Sequence, residues 1–287
     1  MDWDRHKTTW PHAAQSRFVL CKPHRWHVQE MGQGPLLLLI HGAGGGTQSW
    51  RHLMPLLART YRVIAVDLPG QGFTKSGAQQ RLGLIPMAQD LAGLCIDQGW
   101  EPRAIIGHSA GGAIALEMAR HRTPPPPVIG INAALGNFKG LAGVLFPLMA
   151  KALAMTPMVA RLFTASTARP QSVTRLIDGT GSHLTEEELR WYRALISDSG
   201  HVNGTLAMMA QWDLAPLLRI LPQHPSQTLL ITGDRDKAVP PSTSTDVAQK
   251  MPHAQVTSLP GLGHLAHEED AAAVLAPILA FLKTNSV

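Results

Sequence analysis

The stretch Gly107-His108-Ser109-Ala110-Gly111-Gly112 leaves the chain few folds to choose from. A serine with glycine two places before it, and two and three places after it, meets the demands of a very tight strand-to-helix turn. Ala104-Ile105-Ile106 supplies a short buried strand, and Gly107 lets the backbone bend. Gly111 and Gly112 let the next helix, Ala110 to Arg120, pack closely on that strand, and the whole reads as a nucleophile elbow. Ser109 then sits at the tip with its hydroxyl exposed. The helix start aims its N–H groups and the positive end of its dipole at any oxyanion formed there. An ordinary glycine-rich turn of an α/β protein has the same composition, so the rest of the chain has to decide.

Around the elbow, strand and helix alternate. Arg17 to Cys21 and Arg25 to Gln29 read as a hairpin turning at Lys22-Pro23-His24, and Leu36 to Ile40 as a fully buried strand. A helix near His52 to Ala58, the strand Arg62 to Val66 and a helix over Met87 to Gly99 lead to Ser109. Pro124 to Pro127 forbid helix and open the strand Val128 to Ile131. From Leu135 to about Pro216 no buried strand is predicted, only helical segments broken by Pro147, Pro157 and Pro170. Strands resume at Thr228 to Thr232 and Gln255 to Leu259, with helices near Ser244 to Lys250 and Asp270 to Lys283. The pattern predicts an α/β fold: a mostly parallel, doubly wound sheet interrupted once by a helical lid. Residues 1–134 and 216–287 form its core and 135–215 its cap.

A serine hydroxyl needs a base, and the base needs a group that fixes its tautomer and stabilises its charged form. Thr232-Gly233-Asp234-Arg235-Asp236 follows an apolar strand and puts acids at the carboxyl edge of the sheet, where ligands of such folds bind. Asp236 is the expected acid, with Asp234 as the alternative that shapes the turn or pairs with Arg235. Gly261-Leu262-Gly263-His264 follows the last strand, and its glycines suit a loop that brings the His264 imidazole to the serine. His267 is the alternative base. The site after the preceding strand reads Asn132-Ala133-Ala134 and has no carboxylate.

His41-Gly42-Ala43-Gly44-Gly45-Gly46, directly after a buried strand, suits an oxyanion loop. The Ala43 and Ala110 N–H groups are the expected donors, and His41, Gly42 and Trp212 are candidate substrate contacts. A dinucleotide fingerprint competes for the same glycines, with Asp67 downstream. It fails because Thr47 stands where the third glycine belongs, and it leaves Ser109, Asp236 and His264 unused.

The order serine, acid, histidine along the chain resembles that of the α/β-hydrolase superfamily, as does Asp67-Leu68-Pro69-Gly70-Gln71-Gly72, where Gln71 departs from the usual histidine. Further segments resemble the magnesium-chelatase accessory (BchO-type) proteins of bacteriochlorophyll biosynthesis. They are Thr47-Gln48-Ser49-Trp50-Arg51, Ile131-Asn132-Ala133-Ala134-Leu135, Met208-Met209-Ala210-Gln211-Trp212-Asp213-Leu214 and Gly263-His264-Leu265-Ala266-His267-Glu268-Glu269. The resemblance implies a role around magnesium insertion into protoporphyrin IX, with a porphyrin as ligand and chelatase subunits as partners. With Ser109, Asp236 and His264 it suggests a serine-dependent hydrolase. It leaves open a non-catalytic porphyrin carrier or chelatase-binding accessory, or a generic esterase, C–C hydrolase or thioesterase of another pathway. It does not supply a reaction.

Composition narrows the partners. Net charge is +5, but the basic residues are scattered, which argues against nucleic acid. No acid occurs from Leu135 to Ile177, whereas Lys139, Lys151, Arg161, Arg169 and Arg175 lie there among Leu145, Phe146, Met149, Met155, Met158 and Phe163. Such a basic, apolar stretch suits a flat hydrophobic anion or the surface of an anionic membrane. The same residues could equally pack the lid on the core with their charges in water. Pro147, Lys151, Pro157 and Arg161 argue against a membrane span. Two cysteines without metal-ligand spacing and a charged N-terminus suit the cytosol. No cofactor or metal is expected, since His264-x-x-His267-Glu268 is not the H-E-x-x-H arrangement.

Overall fold

The structure is a computed structural model and describes residues 1–136 and 170–287. The first half holds strands β1 (Ser16–Cys21), β2 (His24–Met31) and β3 (Leu36–Ile40), helix α1 (Leu53–Leu57), β4 (Arg62–Val66) and α2 (Leu84–Asp97). The elbow joins β5 (Ala104–His108) to α3 (Ala110–Ala119), and β6 (Val128–Ile131) follows. Helices α4 (Pro170–Gly179), α5 (Glu186–Ser197), α6 (Ser199–Ala210) and α7 (Ala215–Ile220) come next. The chain returns to the sheet with β7 (Thr228–Gly233), α8 (Ser242–Ala248), β8 (Ala254–Leu259), α9 (Ala266–Glu269) and α10 (Ala271–Thr284).

The eight strands form one sheet in the order β1-β2-β4-β3-β5-β6-β7-β8, antiparallel at the β1–β2 and β2–β4 pairs and parallel elsewhere. The run Leu36-Leu37-Leu38-Leu39-Ile40 has no polar residue because β3 is covered on both faces. Leu36, Leu38 and Ile40 join Leu91 of α2 and Ile114 of α3 on one side. Leu37 and Leu39 join Leu53 of α1 and Ile278 of α10 on the other. Each such side chain, fully buried, contributes about 1.5–3 kcal/mol.

Helix α2 begins at Leu84, three residues before the expected start, because Pro86 falls in the first turn, where its missing N–H has no partner to lose. Strand β5 runs on through Gly107 to His108, so the elbow follows the strand without a spacer.

Among the described residues, helices α4, α5, α6 and α7 lie between β6 and β7. Val173, Ile177, Leu189, Tyr192 and Leu195 make an apolar cluster with Trp10, Phe73 and Leu265 of the remaining chain. The basic, apolar stretch through Lys139, Lys151, Arg161 and Arg169 lies outside the described residues. Among the described residues, no helix is long and apolar enough to cross a membrane.

Candidate active site

Ser109 has φ 50° and ψ −117°, outside the regions that L-residues favour. Its neighbours hold it there. Ser109 N–H donates to Ile131 O at 3.0 Å, and Ser109 O accepts from Gly112 N–H and Ala134 N–H, each at 3.0 Å. A Cβ at Gly107 would lie 2.2 Å from Gly111 O, one at Gly111 2.2 Å from Ile40 O, and one at Gly112 2.7 Å from Ala133 Cβ. The glycines around the serine therefore bring β3, β5 and α3 into backbone contact. Gly42 abuts the serine itself, since a Cβ there would come within 2.9 Å of Ser109 Cβ.

His264 Nδ1 donates to Asp236 Oδ2 at 2.8 Å, with the Asp236 side chain fully buried and that of His264 10% exposed. With its proton on Nδ1, the ring keeps Nε2 as an acceptor. Asp236 Oδ1 accepts from Ala238 N–H and Val239 N–H, each at 2.8 Å, and Oδ2 also accepts from Asn132 Nδ2 at 2.7 Å. Four donors thus orient the carboxylate. Asn132, itself at φ 47°, stands at the end of β6, where no acid was found, and steers the acid that comes from β7. Asp234 instead accepts from Gly261 N–H at 2.7 Å and ties the two loops together.

His267 is fully buried, its ring 4.7 Å from that of Trp50 and 4.5 Å from that of His108, and neither ring nitrogen has a hydrogen-bond partner among the described residues. His108 donates from Nε2 to His264 O at 2.9 Å. Burial, then the neighbouring His267 and His264, holds His108 well below the ordinary histidine range, so it stands beside Ser109 at the cavity wall as a neutral ring.

The loop after β3 is closed by Gly45 N–H donating to Gly42 O at 3.1 Å. Neither the Ala43 N–H nor the Ala110 N–H donates to another described residue, so both remain available as donors. His41 is fully buried: Nδ1 donates to Gly42 O at 2.7 Å and Nε2 accepts from Leu68 N–H at 2.9 Å. It holds the loop and does not face a ligand. Asp67 accepts from Thr47 N–H at 2.7 Å, Phe73 N–H at 2.8 Å and His27 Nδ1 at 2.8 Å, which leaves no carboxylate for a ribose.

These loops meet a cavity of about 350 Å³. Ser109, His264, Gly42 and Ala43 line one side, and helices α4, α5 and α6 give Ile177, Tyr192, Ile196, Val202, Leu206 and Met209. No carboxylate, lysine or arginine is among the described lining residues. Of the candidate contacts, Gly42 lines the cavity, while His41 and Trp212 do not; Trp212 packs half-buried against the main apolar cluster. Ser109 Oγ makes no hydrogen bond among the described residues. Tyr192 of α5 and His201 of α6, both lining residues, went unread in the sequence because neither stands in a motif that carries chemistry. Tyr192 Oη donates to Glu268 Oε1 at 2.6 Å, and Glu268 in turn pairs with Arg51. No group of three His, Cys, Asp or Glu among the described residues is placed to hold a metal ion.

Residues 37–277 match the model of the alpha/beta hydrolase family. The chain is 45% identical over 276 residues to the magnesium-chelatase 30 kDa subunit of Rhodobacter capsulatus, covering 96% of each. It is 29% identical over 279 residues to the 2-hydroxy-6-oxo-6-phenylhexa-2,4-dienoate hydrolase of Burkholderia cepacia, covering 90% of this chain and 91% of that protein. The solved structure of a serine hydrolase involved in carbazole degradation superposes with a TM-score of 0.76 at 20% identity, over 94% of this chain and 98% of that one, and so shares the fold.

Proposed function

Because the chain belongs to the alpha/beta hydrolase family and is similar to a magnesium-chelatase 30 kDa subunit over nearly its whole length, we propose that it is a serine hydrolase serving bacteriochlorophyll biosynthesis around magnesium insertion into protoporphyrin IX. Its substrate carries an ester or related acyl bond on a bulky hydrophobic body, a tetrapyrrole in this pathway, and the chelatase subunits are its partners. The observation that carries the reading is the Asp236–His264 pair, made on the same cavity that Ser109 and the unpartnered Ala43 amide line.

In the reaction, Ser109 Oγ attacks the acyl carbon while His264 Nε2 takes its proton. Asp236 holds the ring and stabilises the imidazolium. Ala43 N–H and Ala110 N–H bind the oxyanion, each worth about 10²- to 10³-fold in rate. His264 then passes the proton to the leaving group, and a water activated by the same nitrogen frees the acyl group from Ser109. The apolar side chains of Ile177, Ile196, Val202 and Leu206 suit an uncharged arm of the substrate.

A second reading, a porphyrin carrier or chelatase-binding accessory that keeps the fold without catalysis, is favoured by the free hydroxyl of Ser109. Complementation separates the two. In a strain lacking this gene, folded Ser109→Ala fails to restore magnesium-porphyrin formation if the chain is an enzyme. Full rescue by Ser109→Ala would overturn catalysis in favour of the carrier.

A further inference from the structure

Gly44, at φ 77°, is the turning point of the loop that carries Ala43, and side chains grip its peptide groups from two directions. Gly44 N–H donates to Gln71 Oε1 at 2.7 Å. Gly44 O accepts from Nε2 of His201 at 3.2 Å, and the other nitrogen of that ring, Nδ1, accepts from Gly72 N–H at 3.0 Å. The second bond fixes the tautomer: a ring whose Nδ1 accepts must carry its proton on Nε2, the nitrogen that faces the Gly44 carbonyl.

His201 belongs to α6, the helix seated directly on the Asp67–Gly72 turn. A Cβ at Gly204 would lie 2.0 Å from Gly70 O, so the helix backbone rests on the turn backbone at this point. Gln71 takes part in the same seam, with its Nε2 3.1 Å from Met208 Sδ. The histidine usual at position 71 in this family's turn is absent, and here an amide oxygen receives the Gly44 N–H. Burial keeps His201 neutral, down at about 4, as its accepting nitrogen requires.

We propose that His201 is a positioning residue: from cap helix α6 it clamps Gly44 against Gln71, so that the oxyanion loop takes its working shape only when α6 is docked on the turn. The inference rests on the reading of Ala43 as an oxyanion donor for its catalytic half. Its structural half stands apart from that reading. Donors held rigidly toward developing charge lower the barrier because they need no reorganisation during the reaction. A loosened Gly44 would therefore cost turnover more than binding.

The test compares wild type with His201→Phe, which keeps the ring and loses both hydrogen bonds, and with Gln71→Leu, which releases the same peptide from its other side. Amide hydrogen exchange at Gly44 and steady-state hydrolysis of a p-nitrophenyl ester are measured on each folded full-length protein. Exchange at Gly44 should quicken at least about tenfold in both variants, with α3 protected as in wild type. The kcat should fall about 10- to 100-fold, with KM within about threefold. Should His201→Phe fail to fold, His201→Leu takes its place, since Gln71→Leu removes the acceptor of the Gly44 N–H itself. Unchanged exchange at Gly44 in a folded variant overturns the clamp, as does a rise in KM with kcat intact. If wild type shows no Ser109-dependent turnover, the catalytic reading fails, and the exchange measurement still upholds or overturns the clamp.

Discussion

Ser109 holds a backbone conformation that costs of order 1–3 kcal/mol in an L-residue, and the three hydrogen bonds to its peptide groups maintain it. Glycine tolerates such angles. Ser109→Gly should therefore be inactive yet more stable than wild type by about 1 kcal/mol, the strain relieved less the added chain entropy. Urea unfolding checks this, and a loss of stability would show that the serine is not strained. Ser109, Asp236 and His264 were legible as candidates because each follows a strand of the sheet by a few residues, with glycine close by. Asn132 was legible only as a missing acid. Its role as a donor to Asp236 depends on β6 and β7 lying side by side, which no local pattern states. His41 looked like a ligand contact because it opens the glycine loop, but its ring turns inward to the Leu68 amide. His267, the alternative base, proves to be a buried spacer between Trp50 and His108.

Strands and helices of the core announced themselves because the sheet is covered on both faces, which makes β3, β5 and β7 continuous apolar runs. The close packing of the elbow was also readable from its glycines. Gly111→Ala would push a Cβ to 2.2 Å from Ile40 O, a backbone atom that cannot swing aside. Its expected cost is at least about 3 kcal/mol in urea unfolding, at the upper end for overpacking. A cost under about 1 kcal/mol would mean that α3 sits farther from β3. The cap helices were harder to read. Helix α5 does carry a signal, the capping box in which Thr185 and Glu188 cap each other's backbone amides, and its Thr-Glu-Glu-Glu sequence was there to be seen. Helix α6 carries almost none: Gly200 and Gly204 depress its helical propensity, and Gly204 is there to meet the turn under it.

Across the whole molecule, buried neutral histidines make the fold acid-sensitive, and one of them, His201, joins helix α6 to Gly44 and Gly72. Burial lowers His201 to about 4 and also lowers His41, His224, His108 and His267. The unfolded chain takes up protons near 6.5 that the folded chain refuses, so stability is full above that pH and falls as pH drops toward 4. Each such group contributes up to about 1.4 kcal/mol per pH unit in that window. Glu188 acts in the same direction at lower pH. Burial opposes its charge, but Arg51, His52 and Thr185 hold it at about 2. Urea midpoints should fall steadily from pH 7 to pH 5, and a flat profile would contradict the buried-histidine account.

The central claim, that the side chains of residues 109, 236 and 264 act together on a bound acyl group, is tested most directly by intact-mass analysis after exposure to a fluorophosphonate. One adduct on Ser109 is expected in wild type, none in Ser109→Ala, and labelling slowed about 10²-fold or more in His264→Ala. An unlabelled wild type, under conditions that label another serine hydrolase, would contradict it, as would an adduct that survives in Ser109→Ala.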